Sequence, residues 1–205
     1  MEGKCLTMSR DSIDYYEKNA EAFAASTLNL DVSKLYAEFE KYLKPKSRIM
    51  DLGCGCGRDS RYFVGKGYDV IAVDPSSEMC KITKDIAGVA TYTMKAEDLS
   101  FENDFDAVWA CASLLHVERE NQIAVLHKIC RALRKDGIVY ISWKYGTQDR
   151  HEKGRSYTDF DEKELNYILM ETPNMMIIKS WLTTDVRPDR TDQRWLNVLL
   201  RKVTE

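Results

Sequence analysis

Three glycines alternate in one short loop that follows an apolar segment. Gly53, Gly55 and Gly57 come directly after the segment 49–52. Glycines at such a turn let the backbone approach a nucleotide-like ligand closely. The dinucleotide fingerprint needs a further glycine at the sixth position, where Arg58 stands, and no Gly-Lys-Ser/Thr P-loop occurs. The missing glycine disfavours a pyrophosphate ligand, and with it a nucleotide-dependent oxidoreductase.

A carboxylate follows the loop at the end of the next predicted strand. Asp74 closes the apolar run Val70-Ile71-Ala72-Val73. An acid about 20 residues beyond a glycine loop can accept hydrogen bonds from both hydroxyls of a ribose. The spacing of loop and acid therefore predicts a nucleoside-containing ligand.

A histidine and an aromatic-rich segment follow two later predicted strands. His116 lies behind the fourth strand, and the ordinary pKa of histidine suits proton removal near neutral pH, so we predict it to be a general base. The alternative is a histidine that orients its loop or caps the next helix. Trp143, Lys144 and Tyr145 follow the fifth strand, and Tyr145 is predicted to stack on or hydrogen-bond an acceptor molecule. The alternative is packing against the C-terminal strands.

Arginines in two connections are candidates for acceptor binding. Arg155 and Tyr157 lie in a predicted long loop at 150–157, and Arg187 and Arg190 lie between the last two predicted strands. Guanidinium groups match carboxylate and phosphate geometry, so the three arginines favour an anionic acceptor. The alternative is a solvated surface on which they pair with the interleaved acids Asp149, Glu152, Asp185, Asp189 and Asp192.

The hydrophobic pattern predicts alternating strands and helices that would place these residues at one edge of a sheet. Predicted strands are Arg48 to Leu52, Tyr68 to Val73, Val89 to Met94, Phe105 to Ala110, Ile138 to Trp143, Met175 to Val186 and Arg194 to Val203. Predicted helices follow Asp31, run from Asp59 to Lys66, Ser77 to Ala87 and Arg119 to Lys135, and lie near Asp161 to Glu171. The last two strands are predicted to form a hairpin on the sheet edge.

Several segments, in one consistent order, resemble class I S-adenosylmethionine-dependent methyltransferases. They are Ile49-Met50-Asp51-Leu52-Gly53-Cys54-Gly55-Cys56-Gly57, Asp74, Ala96-Glu97-Asp98-Leu99, Phe105 to Trp109 with Leu114-Leu115-His116, and Ala132 to Gly137, where Lys135-Asp136 replaces the usual Pro-Gly. The segments 57–60 and 67–70 look closest to the branch of tellurite-resistance and thiopurine-type small-molecule enzymes. The resemblance implies an α/β, Rossmann-like three-layer sandwich with a mostly parallel seven-stranded sheet and a C-terminal antiparallel hairpin.

The same resemblance implies S-adenosyl-L-methionine as cofactor and S-adenosyl-L-homocysteine as product. The expected cofactor-binding residues are Tyr16, Asp51, Gly53, Cys54, Gly55, Gly57, Arg58, Asp74, Pro75, Ser76, Met79, Ala96, Glu97, Asp98, Leu99, Ala112 and Ser113. Tyr15 and Tyr16 lie in a segment similar to the N-terminal cover helix of relatives, where they would form a lid, or else pack on the sheet. The expected acceptor-binding residues are Tyr15, Trp143, Lys144, Arg155, Tyr157, Arg187 and Arg190.

Length and composition predict one domain of 205 residues. The resemblance implies that this domain has an N-terminal helical cover (1–45), a cofactor-binding core (46–145) and an acceptor-binding part (146–205). The net charge of −3 and the N-terminal residues favour a cytoplasmic protein without membrane attachment. Cys54 and Cys56 lack a second Cys/His pair, so we predict no metal site.

The acceptor is predicted from what the chain lacks. No Asp/Asn-Pro-Pro-aromatic motif follows the fourth strand, and Cys111 has alanine neighbours, so DNA is disfavoured. A small molecule is favoured and RNA stays open. A noncatalytic sensor or partner subunit that binds S-adenosylmethionine is the competing hypothesis, and the sequence leaves the oligomeric state open.

Overall fold

The computed structural model describes residues 10–203, folded as α-helices and β-strands that alternate over most of the chain. The helices are α1 (Arg10–Thr27), α2 (Ser33–Glu40), α3 (Arg58–Gly65), α4 (Ser77–Ala87), α5 (Gln122–Ala132) and α6 (Glu162–Met170). The strands are β1 (Arg48–Leu52), β2 (Asp69–Asp74), β3 (Ala90–Thr93), β4 (Phe105–Ala110), β5 (Leu133–Lys144), β6 (Asp149–Glu152), β7 (Arg155–Thr158), β8 (Met175–Thr184) and β9 (Arg194–Lys202).

Seven strands form the central sheet in the order β3-β2-β1-β4-β5-β9-β8. The strands from β3 to β5 pair in parallel, whereas β9 is antiparallel to both β5 and β8. The inner strands are continuous apolar runs because helices cover both sheet faces. This architecture confirms the predicted Rossmann-like sandwich and its C-terminal antiparallel hairpin.

Alternation along the strands divides the core between the two faces of the sheet. Trp109 of β4 stacks on Tyr140 of β5 at 4.1 Å on the face that α2 and α3 cover. On the opposite face, Trp143 stacks on Phe160 at 4.6 Å among the residues that α5 and α6 bury. The sheet is therefore a rigid platform whose carboxyl edge carries the connecting loops.

The segment 150–157 is a second hairpin and not the predicted long loop. Strands β6 and β7 pair antiparallel through a two-residue turn, Lys153 and Gly154, with φ of 51° and 75°. Positive φ at both positions is the geometry of the tight turns that suit twisted hairpins. The Lys153-Gly154 pair is the sequence feature that could have predicted this turn. The polar residues on both sides of it do not show the alternation typical of strands. Strand β5 also begins before the predicted Ile138, because Leu133 pairs with Phe105 before a register shift.

Helix α1 lies over the sheet edge and is fixed at several points. Glu17 accepts hydrogen bonds from the backbone and hydroxyl of Ser77 at the start of α4. The Ser12 hydroxyl accepts from the amide of Ser156 at 2.9 Å. Asn19 has non-helical angles and donates to the Tyr15 carbonyl at 2.8 Å, which kinks the helix. The first nine residues of the predicted cover lie outside the described range.

Within residues 10–203, no helix combines the length and apolar character needed to cross a membrane.

Candidate active site

The three glycines of the loop after β1 each adopt positive φ, at 78°, 51° and 77° for Gly53, Gly55 and Gly57. A Cβ on Gly53 would lie 2.2 Å from the Cβ of Ser113, and one on Gly57 would lie 2.9 Å from the Cα of Thr83. Gly55 differs, because the nearest atom to its Cβ position is 3.9 Å away on Phe23. Two glycines therefore allow close backbone packing, and the third leaves a gap open to a ligand.

Four amide groups of the loop are already used inside the protein. The N–H groups of Gly53 and Cys54 both donate to the Val73 carbonyl, at 2.7 and 3.1 Å, and Gly57 donates to Cys54 at 3.0 Å. Gly55 donates to Asp74 Oδ2 at 3.0 Å. Phosphate-binding loops instead direct free N–H groups at their ligand. The geometry thus agrees with the sequence argument against a pyrophosphate.

Asp74, at the end of β2, joins the glycine loop to the start of α4. Its Oδ2 accepts from Gly55 and its Oδ1 accepts from the Ser76 amide at 2.9 Å. Burial raises the pKa of this carboxyl to about 6, although the two amide hydrogen bonds oppose the shift. Each oxygen keeps a lone pair for another donor, and the residue lines a cavity, so Asp74 is placed to accept hydroxyl hydrogens.

Two further carboxylates lie beneath the loop. Asp51 accepts from the Ser60 hydroxyl at 2.6 Å, and burial together with the charge of Asp59 raises its pKa to about 8. Burial also acts on Asp59, but Arg58, at 2.6 and 3.0 Å, and the hydroxyl of Tyr36 hold its pKa below the usual value. Asp51 and Asp59 therefore behave differently although they are close.

A cavity opens at the carboxyl edge of the sheet beneath α1. One part, here called the glycine-loop half, is lined by Leu52, Gly53, Cys54, Gly55, Cys56, Asp74, Pro75, Met79, Met94, Ala96, Ala112, Ser113 and Leu114. The other, the β8–β9 half, is lined by Leu30, Val32, Leu35, Arg58, Asp59, Cys111, Ser142, Thr183, Thr184, Asp185, Val186, Arg187, Trp195 and Asn197. Tyr16, Phe23, Thr27, His116 and Val117 complete the lining.

Most of the expected cofactor-binding residues line this cavity, but six of the expected residues do not. Asp51, Gly57, Ser76, Glu97, Asp98 and Leu99 are not in the lining formed by residues 10–203. Ser76 caps α4 by accepting from the Met79 amide at 3.2 Å, and Leu99 is buried in the core. Asp51 lies under the loop, where it accepts from Ser60, whereas Asp98 is exposed.

His116 is buried and both of its ring nitrogens are hydrogen-bonded. Nδ1 lies 2.7 Å from the Ser156 carbonyl, which can only accept, so Nδ1 carries the proton. Nε2 consequently accepts from the Tyr16 hydroxyl at 2.9 Å. Burial lowers the pKa of His116 to about 4 and raises that of Tyr16 above its usual value. The predicted base is therefore a neutral histidine that holds α1 to the sheet edge.

The residues predicted for the acceptor do not meet at one place. Tyr145 is outside the cavity lining and donates to Glu162 at 3.0 Å, because its side chain lies on the side of the sheet that α5 and α6 cover. Trp143 is fully buried against Phe160, since odd-numbered positions of β5 face the α5–α6 side. Of the three arginines, Arg187 alone lines the cavity, and it pairs with Asp185 at 2.6 Å.

The remaining cations surround the ring of Tyr157 on the β6–β7 hairpin. Lys144 Nζ lies 4.7 Å from the ring centroid, and the guanidinium carbons of Arg150 and Arg155 lie at 5.2 and 5.4 Å. Arg155 also lies 4.4 Å from the ring of Tyr15 on α1. Arg190 pairs with Asp189 at 3.6 Å. These contacts join the cover helix to the hairpin beside His116.

Several lining residues escaped sequence reasoning because distant segments supply them. Leu30 and Val32 come from the connection into α2 and Leu35 from its first turn, whereas Thr183, Trp195 and Asn197 come from the C-terminal hairpin. Pairing of Ser142 with Asn197 and of Thr183 with Trp195 brings the strand residues together. Their alternation along β8 and β9 was the available signal, but it does not say which face carries a site.

Comparison with known proteins gives one family and several relatives. Residues 49–137 match the methyltransferase domain family. The chain is 26% identical over 208 residues to phosphoethanolamine N-methyltransferase of Triticum aestivum, covering 93% of this chain and 38% of that protein. It is 31% identical over 126 residues to carboxy-S-adenosyl-L-methionine synthase of Vibrio cholerae, covering 55% and 51%. The chain thus spans about half the length, or less, of these curated relatives.

Among solved structures, the fold is similar to Burkholderia thailandensis 1,6-didemethyltoxoflavin-N1-methyltransferase with bound S-adenosylhomocysteine. The TM-score is 0.76 at 23% identity, covering 93% of this chain and 87% of that one. The narrower branch suggested by 57–60 and 67–70 stays a prediction. Residues 49–137 therefore match a methyltransferase domain, and the chain has the fold of an S-adenosylmethionine-dependent methyltransferase.

Proposed function

We propose that this chain transfers the methyl group of S-adenosylmethionine to a small-molecule acceptor. The observation that carries the proposal is one cavity whose wall includes the glycine loop and Asp74 as well as residues of β8 and β9. A donor and an acceptor can lie side by side there under α1. Related proteins are named as methyltransferases of small molecules, which supports the same acceptor class.

The residues of the glycine-loop half fit the cofactor. Gly55 leaves room beside the loop, Asp74 can accept from ribose hydroxyls, and the buried hydroxyl of Ser113 has no hydrogen-bond partner within the described part of the chain. When bound, S-adenosylmethionine supplies an electrophilic methyl carbon, which bonds to the acceptor atom as its bond to sulfur breaks and the acceptor loses one proton. The apolar wall of Leu52, Met79 and Met94 is suited to the adenosine part.

The chain's own task is then to position the acceptor and to exclude water. Tyr16, Phe23 and Thr27 of α1 close one side of the cavity. The hydrogen bond from Tyr16 to His116 holds this cover in place, and the lowered pKa of His116 keeps the ring neutral above about pH 4. His116 is accordingly a positioning residue in this proposal, and the acceptor's proton passes to solvent or to another group.

Methyl-labelled S-adenosylmethionine, incubated with the purified chain and fractionated small metabolites, RNA or protein, tests the proposal. Label in the small-metabolite fraction is the expected result, and label in RNA alone would overturn the acceptor class. Calorimetry with S-adenosylhomocysteine runs beside it. Cofactor binding with no labelled product in any fraction would favour a noncatalytic sensor.

A further inference from the structure

The charged side chains of the β8–β9 half form two closed ion pairs. Arg58 donates to both oxygens of Asp59, at 2.6 and 3.0 Å, and Asp59 also accepts from Trp109 Nε1 at 2.8 Å. Arg187 donates to both oxygens of Asp185, at 2.9 and 2.6 Å, and Asp185 also accepts from Trp195 Nε1 at 3.1 Å. Each guanidinium therefore already has a carboxylate, and this half of the cavity carries no net charge.

The polar uncharged side chains of Asn197, Ser142 and Thr183 are also engaged within the protein. Asn197 Oδ1 accepts from the Tyr140 hydroxyl at 2.7 Å, and its Nδ2 donates to Thr183 Oγ1 at 3.0 Å and to the Trp181 carbonyl at 3.2 Å. Ser142 Oγ accepts from the Ala112 amide at 2.8 Å. A ligand in this compartment consequently meets few free donors, and the rest of the wall is aliphatic or aromatic.

Two cationic side chains without a carboxylate within ion-pair distance lie near the cavity but do not line it. Among residues 10–203, Lys144 and Arg155 form no ion pair of 4 Å or less, and neither lines the cavity. Both point at the ring of Tyr157, and Arg155 also covers Tyr15. Tyr16 and His116 stand between this group and the cavity, since they line it while His116 contacts Tyr157 at 5.0 Å.

We propose that the acceptor is an uncharged molecule with a mainly apolar body, recognised by the β8–β9 half. This inference rests on the proposed methyl transfer. A phosphate or carboxylate placed there would lose its hydration and gain no unpaired cation, which is a large cost in a mostly buried site. An apolar ring would instead bury its surface against Leu30, Val32, Leu35 and Trp195. The proposal therefore differs from the anionic acceptor that the arginines suggested in the sequence.

The test compares pairs of molecules that differ by one charge. Probes are 4-methylphenol against 4-hydroxybenzoate, and 4-methylaniline against 4-aminobenzoate. Dissociation constants are measured by ligand-observed NMR on the full chain saturated with S-adenosylhomocysteine. We expect the uncharged member to bind at least about tenfold more tightly, which corresponds to about 1.4 kcal/mol. Equal or tighter binding of the carboxylates, or binding of no probe to the loaded protein, would overturn the proposal.

A titration with S-adenosylhomocysteine distinguishes failure of the acceptor inference from failure of the proposed function. If S-adenosylhomocysteine itself does not bind, the proposed function fails and the acceptor inference fails with it. If it binds and the carboxylates are preferred, only the acceptor class is wrong.

A variant tests whether the ion pair sets the preference. Asp185→Asn leaves Arg187 without a counter-charge, so the preference should move toward the carboxylates by about tenfold, the scale of one charge-assisted hydrogen bond. Glu102→Gln is the matched control, because it frees Arg131 at the exposed surface and should leave the preference unchanged. An unchanged preference in a folded Asp185→Asn protein, checked by thermal unfolding, would contradict the assignment. The wild-type pairs decide the proposal if that variant does not fold.

Discussion

The two halves of the cavity are built in different ways. The glycine-loop half is made by short segments between Leu52 and Leu114, by glycines at positive φ and by the buried carboxyl of Asp74, which accepts from the amides of Gly55 and Ser76. The β8–β9 half is made by segments as distant as Leu30 and Asn197, in ordinary backbone conformations, with its charges paired. We therefore expect the first half to tolerate few substitutions, and the second to accept side-chain replacements without altering the sheet.

The largest expected effect comes from breaking the close packing of the glycine-loop half. In Gly53→Ala, the new Cβ would lie 2.2 Å from Ser113 Cβ in a residue held at φ of 78°. We expect the free energy of unfolding to fall by about 3 kcal/mol, from strain and overpacking together. Urea unfolding measures this, and calorimetry should show loss of S-adenosylhomocysteine binding.

Gly67→Ala is the matched control for that substitution. Gly67 also has positive φ, at 86°, but no atom lies within 4 Å of its Cβ position. Gly67→Ala should lower the free energy of unfolding by the backbone strain alone, about 1 kcal/mol, and S-adenosylhomocysteine should still bind. Equal effects of the two substitutions would show that the loop is not specially packed.

Removing the carboxylate of Asp74 should be the next largest effect, and it concerns binding. Asp74→Ala is expected to weaken S-adenosylhomocysteine binding by about 100-fold, since hydrogen bonds to a charged group contribute about 1.5 to 3 kcal/mol. Asp69→Ala, at the exposed start of the same strand, should change the affinity little. Isothermal calorimetry on both variants makes the comparison, and an unaltered affinity for Asp74→Ala would contradict the ribose assignment.

The pH dependence of wild-type binding follows from the same residue. Because the pKa of Asp74 is raised to about 6, its carboxylate becomes protonated as the pH falls through that value. The protonated carboxyl accepts hydrogen bonds less well than the carboxylate. Affinity should therefore be constant above pH 7 and decline below pH 6, with no such decline in Asp74→Ala. If the wild-type affinity rises as the pH is lowered, the pH dependence is opposite to the expected one, and Asp74 is not the residue that accepts from the ribose hydroxyls.

A variant in the β8–β9 half should separate stability from cofactor binding. Asn197→Leu leaves the Tyr140 hydroxyl buried without its partner at 2.7 Å. We expect the free energy of unfolding to fall by about 2 kcal/mol. S-adenosylhomocysteine affinity should stay within about twofold, because distant sites act independently. Leucine at the exposed Asn174 is the control. A large loss of cofactor affinity would mean that the two halves are coupled.

The same contrast explains how much could be predicted from the sequence. The loop, Asp74 and the seven-stranded sheet were predictable because each follows from local pattern and chain order. The partners of His116 were not, since Tyr16 lies 100 residues away and only the folded chain brings it to the ring. The partner of Arg187 was not predictable either, because the spacing of Arg187 and Asp185 is equally compatible with an ion pair between them and with an anion bound to Arg187. Predictability ends where the site depends on which surfaces meet.

The smallest expected effect concerns the contact between cover helix and sheet edge that both halves share. Tyr16→Phe removes the hydroxyl that donates to His116 Nε2 at 2.9 Å but keeps the ring that lines the cavity. One hydrogen bond contributes about 1 kcal/mol, so transient opening of α1 should increase about fivefold. Amide hydrogen exchange of α1 measures this, with the exposed Tyr167→Phe as control. Faster exchange confined to α1 would show that the bond holds the cover, whereas unchanged exchange would show that other contacts of α1, such as those of Ser12 and Glu17, are sufficient.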